Sequence, residues 1–153
     1  MPKNSGENNE KKYPLHKACQ DGDLSRVKSL LKRRQQDINE FDSKHWTPLH
    51  CAASARQLDI CKYLLSRGAN PSLTTSNNAT ALHYIARMKE HALLPTILKA
   101  LVDKGADVNH PNTYTTTPLH EAALRGSVTC MQFLLTNNAK IDAQNKFDSK
   151  IHL

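Results

Sequence analysis

The sequence predicts an all-α protein in which short helix pairs stack on one another as a solenoid. A Pro-Leu-His element recurs at spacings of 32 to 37 residues, and apolar residues within each copy recur at helical spacing. Aromatic residues make up only 5% of the chain, which suits close packing of small side chains better than a β-sandwich. Helices of eight or nine residues are unstable alone in water, so successive copies must share their apolar faces.

The first helix of each copy begins at a Thr-Pro-Leu-His element, as in "TPLHCAA". Thr47 is suited to be the N-cap because its hydroxyl can accept a hydrogen bond from a free amide of the first turn. Pro48 fits the first helical position, where no amide hydrogen is required. Leu49, Ala52 and Ala53 then give an apolar face of mostly small side chains, which predicts close approach of neighbouring helices.

A second short helix follows in each copy, and a residue suited to a left-handed C-cap comes after it. In the second copy the apolar positions of this helix are Leu58, Cys61, Leu64 and Leu65. The C-cap positions are Gly68, Gly105 and Asn138. The polar stretch of about ten residues that follows, such as "NHPNTYTT", predicts a tight turn or hairpin before the next copy.

The third copy departs from the pattern. It has Ala81 in place of proline and four additional residues between its helices, in "RMKEHALLP". Pro95 lies where the first turn of the second helix is expected. The insertion therefore lengthens the first helix or the loop after it, and it either modifies the binding edge of the stack or is a neutral variation in length.

The first copy and the chain end also differ from the central copies. Tyr13 replaces the threonine, and Arg26 occupies the position of Ile60, as expected for an N-terminal capping repeat without a neighbour on that side. The terminal "SKIHL" aligns with the start of a fifth copy, so we expect an excised piece of a longer protein, with a vestigial copy as the alternative. The predicted units are a disordered polar leader at 1–12, repeats at about 13–44, 45–77, 78–114 and 115–147, and a partial repeat at 148–153.

The motifs "TPLHCAA", "TPLHEAA", "LLSRGANP" and "LVDKGADVN" occur in register, and over residues 13–153 the pattern resembles the ankyrin repeat family. The resemblance implies a non-catalytic module that binds another protein on a concave face formed by the hairpins and first helices. The variable, partner-facing positions of the family precede the Thr-Pro-Leu-His element and follow the paired alanines. In this chain they are Ser43, Lys44, Trp46, Ser54 and Ala55 in the second copy; Ser76, Asn77, Ala79, Arg87 and Met88 in the third; and Thr113, Tyr114, Thr116, Leu124 and Arg125 in the fourth.

Four of these residues carry the most specific expectations. Trp46 and Tyr114 stand in hairpins where nothing structural requires an aromatic ring, and binding hot spots favour Trp, Tyr and Arg. The alternative for Trp46 is that its ring packs on the neighbouring hairpin. Arg87 and Arg125 either bind partner carboxylates through their planar guanidinium groups or are ordinary solvated side chains.

The resemblance also implies a possible modification site. In this family an asparagine that closes an Asp-Val-Asn sequence can be hydroxylated, and Asn39 and Asn109 match that position. The alternative, which we favour, is that both asparagines hydrogen-bond the backbone of a turn.

Histidines recur at one repeat position, in His16, His50, His83 and His120, with His152 aligned to them. Layers packed at ordinary helix distances lie about 10 Å apart, whereas zinc ligands lie about 2 Å from the metal, so these histidines cannot share an ion. The resemblance implies that they hydrogen-bond within and between repeats. We find no glycine-rich phosphate loop, paired carboxylates or nucleophile–base pair in the sequence, and we predict no enzyme, cofactor or metal.

The formal net charge of +7 and the pI near 9.3 raise the question of nucleic-acid binding. The densest basic run, "RVKSLLKRR", interleaves with apolar residues at helical spacing, so we interpret it as the solvated face of a helix. An acidic protein partner is favoured over nucleic acid or acidic lipid.

The cysteines, Cys19, Cys51, Cys61 and Cys130, lack the spacing of a paired motif, and the sequence has no signal peptide or membrane-spanning run. We therefore expect reduced core cysteines in an intracellular monomer, either cytoplasmic or nuclear. The alternative functions are a targeting or regulatory segment of a larger enzyme, such as a kinase, ubiquitin ligase or GTPase regulator, and a host-directed effector fragment.

Overall fold

The structure is a computed structural model that describes residues 11–33 and 36–146. Four helix pairs follow one another in this part of the chain. The helices are α1 (Pro14–Asp21), α2 (Leu24–Lys32), α3 (Pro48–Ser54), α4 (Leu58–Ser66), α5 (Ala81–Ala86), α6 (Leu94–Asp103), α7 (Pro118–Arg125) and α8 (Val128–Thr136). We call the first helix of each pair the inner helix and the second the outer helix, and we number the pairs as repeats 1 to 4.

The repeats stack with translational order. Inner helix α1 contacts α3, α3 contacts α5 and α5 contacts α7, and the outer helices contact one another in the same sequence. Leucines that are at most 1% exposed, among them Leu15, Leu64, Leu101 and Leu134, come from all four repeats and belong to one continuous core. Burying such a side chain contributes roughly 1.5–3 kcal/mol, and each repeat gains most of this from its neighbours. The predicted all-α solenoid is confirmed.

The inner helices begin as the sequence predicts. Thr47 is the N-cap of α3: its hydroxyl accepts the N–H of His50 at 3.3 Å, while its own N–H donates to Nδ1 of His50 at 3.1 Å. Thr80 and Thr117 likewise donate their N–H to Nδ1 of the histidine three residues later, each at 3.1 Å. Tyr13 provides no side-chain cap to α1.

The outer helices end in the left-handed conformation that the sequence predicts. The φ angles are 94° at Gly68, 97° at Gly105 and 66° at Asn138. A Cβ atom at Gly105 would meet no atom within 4 Å, so the backbone conformation, and not the available space, favours glycine there.

The insertion in repeat 3 lengthens a loop. Helix α5 ends at Ala86 and α6 begins at Leu94, so seven residues, 87–93, connect them, whereas residues 55–57 connect α3 to α4. Pro95 lies in the first turn of α6, as predicted. We call residues 87–93 the repeat-3 loop.

The ends of the chain are only partly described. Lys11 and Lys12, the last two residues of the polar leader predicted for 1–12, are helical, and the rest of that leader lies outside the described residues. The partial repeat predicted at 148–153 also lies outside them. Arg26 is exposed, consistent with the capping repeat predicted at this end. Among the helices described, none has the length and apolar character needed to cross a bilayer.

Candidate binding surface on the hairpins and inner helices

Three hairpins of the same geometry precede α3, α5 and α7, at residues 42–46, 75–79 and 112–116. In each hairpin the N–H of the first residue donates to the carbonyl of the last, at 2.8 to 2.9 Å. The fourth residue of each has a positive φ angle of 55° to 60°. The repeated geometry places three hairpin tips at one edge of the stack.

The side chain of the first hairpin residue stabilises this geometry. Oδ1 of Asp42 accepts the N–H groups of Lys44 and Trp46, both at 2.9 Å. Oδ1 of Asn112 accepts the N–H groups of Tyr114 and Thr116 at 2.9 and 3.0 Å. These bonds are Asx turns, the local chemistry for which Asp and Asn are preferred in loops.

Aromatic rings connect the hairpin before α3 to the inner helix of the next repeat. The ring centroids of Trp46 and Tyr84 lie 5.0 Å apart, and the His50 ring contacts both at 6.2 to 6.3 Å. Tyr84, whose pKa is raised by burial, also carries the guanidinium of Arg87 over its ring at 5.4 Å. The Trp46 ring therefore packs on the inner helix of the next repeat, whereas the alternative named from the sequence was the neighbouring hairpin, and the side chain is half-buried.

Arg87 is held by a carboxylate of its own chain. Its Nε and Nη2 donate to the two carboxylate oxygens of Glu121 at 2.8 and 2.7 Å, in a bidentate pair. The Glu121 side chain is 7% exposed and that of Arg87 is 42% exposed. The hydrogen bonds to Glu121 raise the pKa of Arg87, so its charge is fixed. The sequence prediction considered a partner carboxylate or solvent for Arg87, and it missed Glu121.

Met88 is not on the surface. It is 5% exposed and belongs to the buried core, and its N–H donates to the carbonyl of Ile85 at 3.0 Å. The prediction that Met88 faces a partner is wrong, because its side chain packs in the core at the start of the repeat-3 loop. Ala79 is buried as well, at 6% exposed.

The other predicted residues remain accessible to different degrees. Those that are exposed are Ser43, Lys44, Ser54, Ser76, Asn77, Thr113, Tyr114, Leu124 and Arg125. Trp46, Ala55 and Thr116 are half-buried. Leu124, at 78% exposed, and Tyr114, at 51%, are the most accessible large apolar residues of this set.

A pocket of about 310 Å³ lies between α1 and α3, beside the Trp46 ring. Its lining residues are Gln20, Asp42, Lys44, Trp46, Cys51, Ser54 and Ala55. Burial raises the pKa of the Cys51 thiol to about 12, so the thiol is protonated at neutral pH and acts as part of an apolar wall. Gln20 was not predicted, although it occupies the same position after the paired small residues of its inner helix as Ser54 and Leu124.

The recurring histidines are structural. Nδ1 of His83 accepts the N–H of Thr80 at 3.1 Å, which leaves the proton on Nε2, and Nε2 donates to the carbonyl of Thr116 in the next repeat at 3.1 Å. Burial lowers the pKa of both His50 and His83 to about 4, so both are neutral at pH 7. No group of three His, Cys, Asp or Glu residues suited to a metal ion occurs within the described ranges.

His16 shows what the capping repeat lacks. Its Nε2 donates to the carbonyls of Glu40 and Trp46, both at 2.9 Å, as expected for the link to the next repeat. Its Nδ1 has no hydrogen-bond partner among the residues described, and Tyr13, at the threonine position, provides no side-chain cap.

The two asparagines predicted as modification sites bond successive turns. Oδ1 of Asn39 accepts the N–H of Asn70 at 2.8 Å, and Oδ1 of Asn109 accepts the N–H of Lys140 at 2.8 Å. The Asn109 amide also donates to the carbonyl of Asn138 at 3.0 Å. The turn-bonding role that we favoured is therefore present, and hydroxylation of either residue stays a prediction.

The repeat-3 loop contacts repeat 4 a second time through Glu90. The N–H of Thr129 donates to Glu90 Oε1 at 3.1 Å, and the Thr129 hydroxyl donates to Oε2. These hydrogen bonds lower the pKa of Glu90. Because Ser127 gives α8 no side-chain cap, Glu90 supplies the negative charge that a helix N-terminus favours.

Stacked helix pairs with repeated hairpins and internally bonded histidines define a repeat scaffold, a class of protein that acts through its surface. The model of ankyrin repeats (three copies) matches residues 2–75 and 68–145, and the chain belongs to the ankyrin repeat family. Ankyrin repeats are generally protein-interaction modules of non-catalytic fold.

Several curated relatives are larger proteins. The chain is 37% identical to the transient receptor potential channel pyrexia of Drosophila melanogaster, over 86% of this chain and 13% of that protein. It is 35% identical to the tyrosine-protein kinase HTK16 of Hydra vulgaris, over 83% of this chain and 17% of that protein. It is 29% identical to a putative ankyrin repeat protein, FPV014, of fowlpox virus, over 90% of this chain and 31% of that protein. The chain spans less than a third of the length of each.

Proposed function

We propose that this chain is a non-catalytic module that binds another protein on the concave face formed by the hairpins and inner helices. Tyr114 and Leu124 carry the proposal, because both are large apolar side chains that are more than half exposed at predicted partner-facing positions. Burial of their apolar surface in a complex would contribute a favourable free energy of roughly 25 cal/mol per Å².

The proposed docking face combines these two residues with the surface around the Trp46 pocket. Trp46 offers a half-buried, rigid ring beside a pocket, which is the arrangement typical of binding hot spots. The full set is Ser43, Lys44, Trp46, Ser54, Ser76, Asn77, Thr113, Tyr114, Thr116, Leu124 and Arg125. Arg87 supports this face from within through Glu121, and Met88 takes no part.

The partner that we propose for this face presents carboxylates. Lys44 and Arg125 are exposed cations in repeats 2 and 4, and Arg125 can bind a carboxylate with both arms of its guanidinium group. The carboxylate of Glu121 is already occupied by Arg87, so it does not oppose an acidic partner.

The test is capture of partner proteins by the immobilised 153-residue chain, quantified by mass spectrometry. The Trp46→Ala/Tyr114→Ala variant and a second variant, Tyr114→Ala/Leu124→Ala, should each lose at least about tenfold of the specific partner, since hot-spot truncations typically cost 2 kcal/mol or more. Ser29→Ala/Gln132→Ala, two exposed positions on outer helices, is the matched control. Retention equal to that of the unmodified chain by both variants, with circular dichroism unchanged, would contradict the proposal.

A second proposal concerns the whole protein. Because the chain covers only 13% to 17% of the channel and the kinase that it resembles, we propose that it is an intracellular, monomeric targeting or regulatory segment of a larger protein. The viral relative leaves a host-directed effector as the alternative. The full open reading frame decides between them, since a catalytic or channel domain after residue 153 would support the first and exclude the second.

A further inference from the structure

The positive charge of the protein is concentrated on its outer helices. These helices and their C-cap residues contain eight Lys and Arg side chains and only two acidic ones, an excess of six out of the formal net charge of +7. The cations are Arg26, Lys28, Lys32, Arg33, Lys62, Arg67, Lys99 and Lys104. The acidic residues are Asp59 and Asp103.

This charge is graded along the stack. Helix α2 with its C-cap carries four cations and no acid, whereas α8 with its C-cap, Asn137, carries no charged residue at all. Because α8 forms an equally long outer helix without charge, the fold does not require cations on this face.

The cations are in register. Lys28, Lys62 and Lys99 occupy the same repeat position on three successive outer helices, and all three are exposed. Because neighbouring outer helices are in contact, these positions lie about 10 Å apart along the stack. A second row, Arg33, Arg67 and Lys104, follows at the helix C-caps.

Most of these cations have no ion pair with a carboxylate among the described residues. Lys99 pairs with Asp103 at 2.6 Å, and Lys28 lies 5.6 Å from the Tyr63 ring centroid. Lys62 and Arg67 have no ion pair with a carboxylate in the part of the chain that the structure describes. The dipoles of α2 and α4 favour the C-cap row, but they do not account for Lys28 and Lys62 in the middle of these helices.

We propose that the outer helices of repeats 1 and 2 form a second binding surface, the basic outer face, and that its occupant is an acidic polypeptide segment. The basic outer face consists of Lys28, Lys32, Arg33, Lys62 and Arg67. An extended chain advances about 3.3 Å per residue. Carboxylates at every third residue therefore recur about 10 Å apart, which matches the spacing of successive cations along a row.

Other polyanions fit this face less well. The exposed large apolar residues of the described chain are Tyr114, Leu124, Val128 and Ile141, all in or after the last hairpin, so none of these lies on α2 or α4 to enter a bilayer. Tyr63 is half-buried under Lys28 and offers no open ring on which bases of a single strand could stack. The basic outer face is also separate from the docking face, so the two proposals can fail independently.

The experiment is a fluorescence-anisotropy titration of a labelled 15-residue oligoglutamate with the 153-residue chain, at low and at physiological salt. Lys28→Glu/Lys62→Glu should weaken binding at least about tenfold, because each reversal replaces an attraction by a repulsion. The matched control, Lys89→Glu/Lys140→Glu, changes the net charge equally at two exposed lysines outside both faces, and it should weaken binding by less than about twofold. Lys28→Gln/Lys62→Gln, which only removes the charges, should give an intermediate loss.

Three results would overturn the proposal. Equal losses in the two reversal pairs would mean that only net charge matters. If oligoglutamate binding were lost only in reversal variants with a lowered melting temperature, and the Gln pair bound normally, the loss of binding would be caused by unfolding. Tighter binding of a duplex DNA or of phosphatidylserine vesicles than of oligoglutamate at equal salt, abolished by the same Lys28/Lys62 reversals, would assign the face to phosphates instead.

Discussion

The junction between repeats 2 and 3 and the junction between repeats 3 and 4 bury equivalent helix faces, but their surfaces are joined by different chemistry. At the first junction the rings of Trp46 and Tyr84 pack at 5.0 Å. At the second, Arg87 binds Glu121 through two hydrogen bonds of 2.7 to 2.8 Å, and Glu90 accepts two from Thr129. We call them the aromatic junction and the ionic junction.

The difference follows from one repeat position and from the insertion. Cys51, Tyr84 and Glu121 each follow the histidine of their inner helix directly, so they occupy equivalent positions in successive layers. Tyr84 contacts Trp46 on one side and Arg87 on the other, and Glu121 receives Arg87. From the sequence, the insertion either modifies a binding edge or is a neutral change in length. In the structure it places Glu90 against α8, and this contact links repeats 3 and 4.

The prediction with the largest expected effect concerns a feature that the two junctions share. Each contains a buried, neutral histidine. Burial lowers the pKa of His50 and of His83 to about 4, below the ordinary value of 6.5. The unfolded chain therefore binds protons first as the pH falls, and the free energy of unfolding should be constant above pH 6.5 and decrease between pH 6.5 and 4. Each histidine contributes up to about 1.4 kcal/mol per pH unit in this window.

Urea unfolding at a series of pH values measures this slope. His50→Gln and His83→Gln should each remove about half of it, whereas His91→Gln, at an exposed histidine, should leave it unchanged. A free energy of unfolding that does not decrease between pH 6.5 and 4 would contradict the neutral, buried state of these rings.

The second prediction breaks the ionic junction. Arg87→Ala leaves the nearly buried carboxylate of Glu121 without its partner and should lower the free energy of unfolding by about 2 kcal/mol, less than for a fully buried pair because Arg87 is 42% exposed. Glu121→Ala should cost less, about 1 kcal/mol, because the arginine that remains can be hydrated.

Chemical denaturation of both variants and of Arg125→Ala checks this asymmetry. The exposed Arg125 serves as the control and should change stability by less than about 0.5 kcal/mol. If Arg87→Ala cost no more than Arg125→Ala, the ion pair would not stabilise the junction.

The prediction with the smallest expected effect concerns the Trp46–Tyr84 contact of the aromatic junction. In a double-mutant cycle with Trp46→Leu and Tyr84→Leu, we expect a coupling free energy of about 1 kcal/mol, as is typical of packed aromatic pairs. If the two substitutions lowered the free energy of unfolding additively, the two rings would pack independently. Their contact would then not stabilise the aromatic junction.

Much of the fold and part of the candidate surface could be predicted from the sequence. Thr47, Pro48 and Gly68 specify helix ends through local backbone chemistry, and four copies in register strengthen each of these signals. The exposure of Tyr114 and Leu124 also follows from repeat position, because equivalent residues of a stack face the same side. The burial of Met88, the pairing of Arg87 with Glu121 and the contact of Glu90 with Thr129 could not be predicted in this way.

The sequence by itself determined where the helices begin and end, how they stack and which faces they bury, because these depend on contacts that every repeat makes again with its neighbour. The tertiary structure alone decided which surface groups are already used within the chain. Arg87 lies 34 residues from Glu121, and Glu90 lies 39 residues from Thr129. Arg87 keeps a regular repeat position and pairs because the next layer supplies a glutamate, whereas Glu90 reaches Thr129 because the repeat-3 loop departs from the repeat. No local pattern specifies either contact.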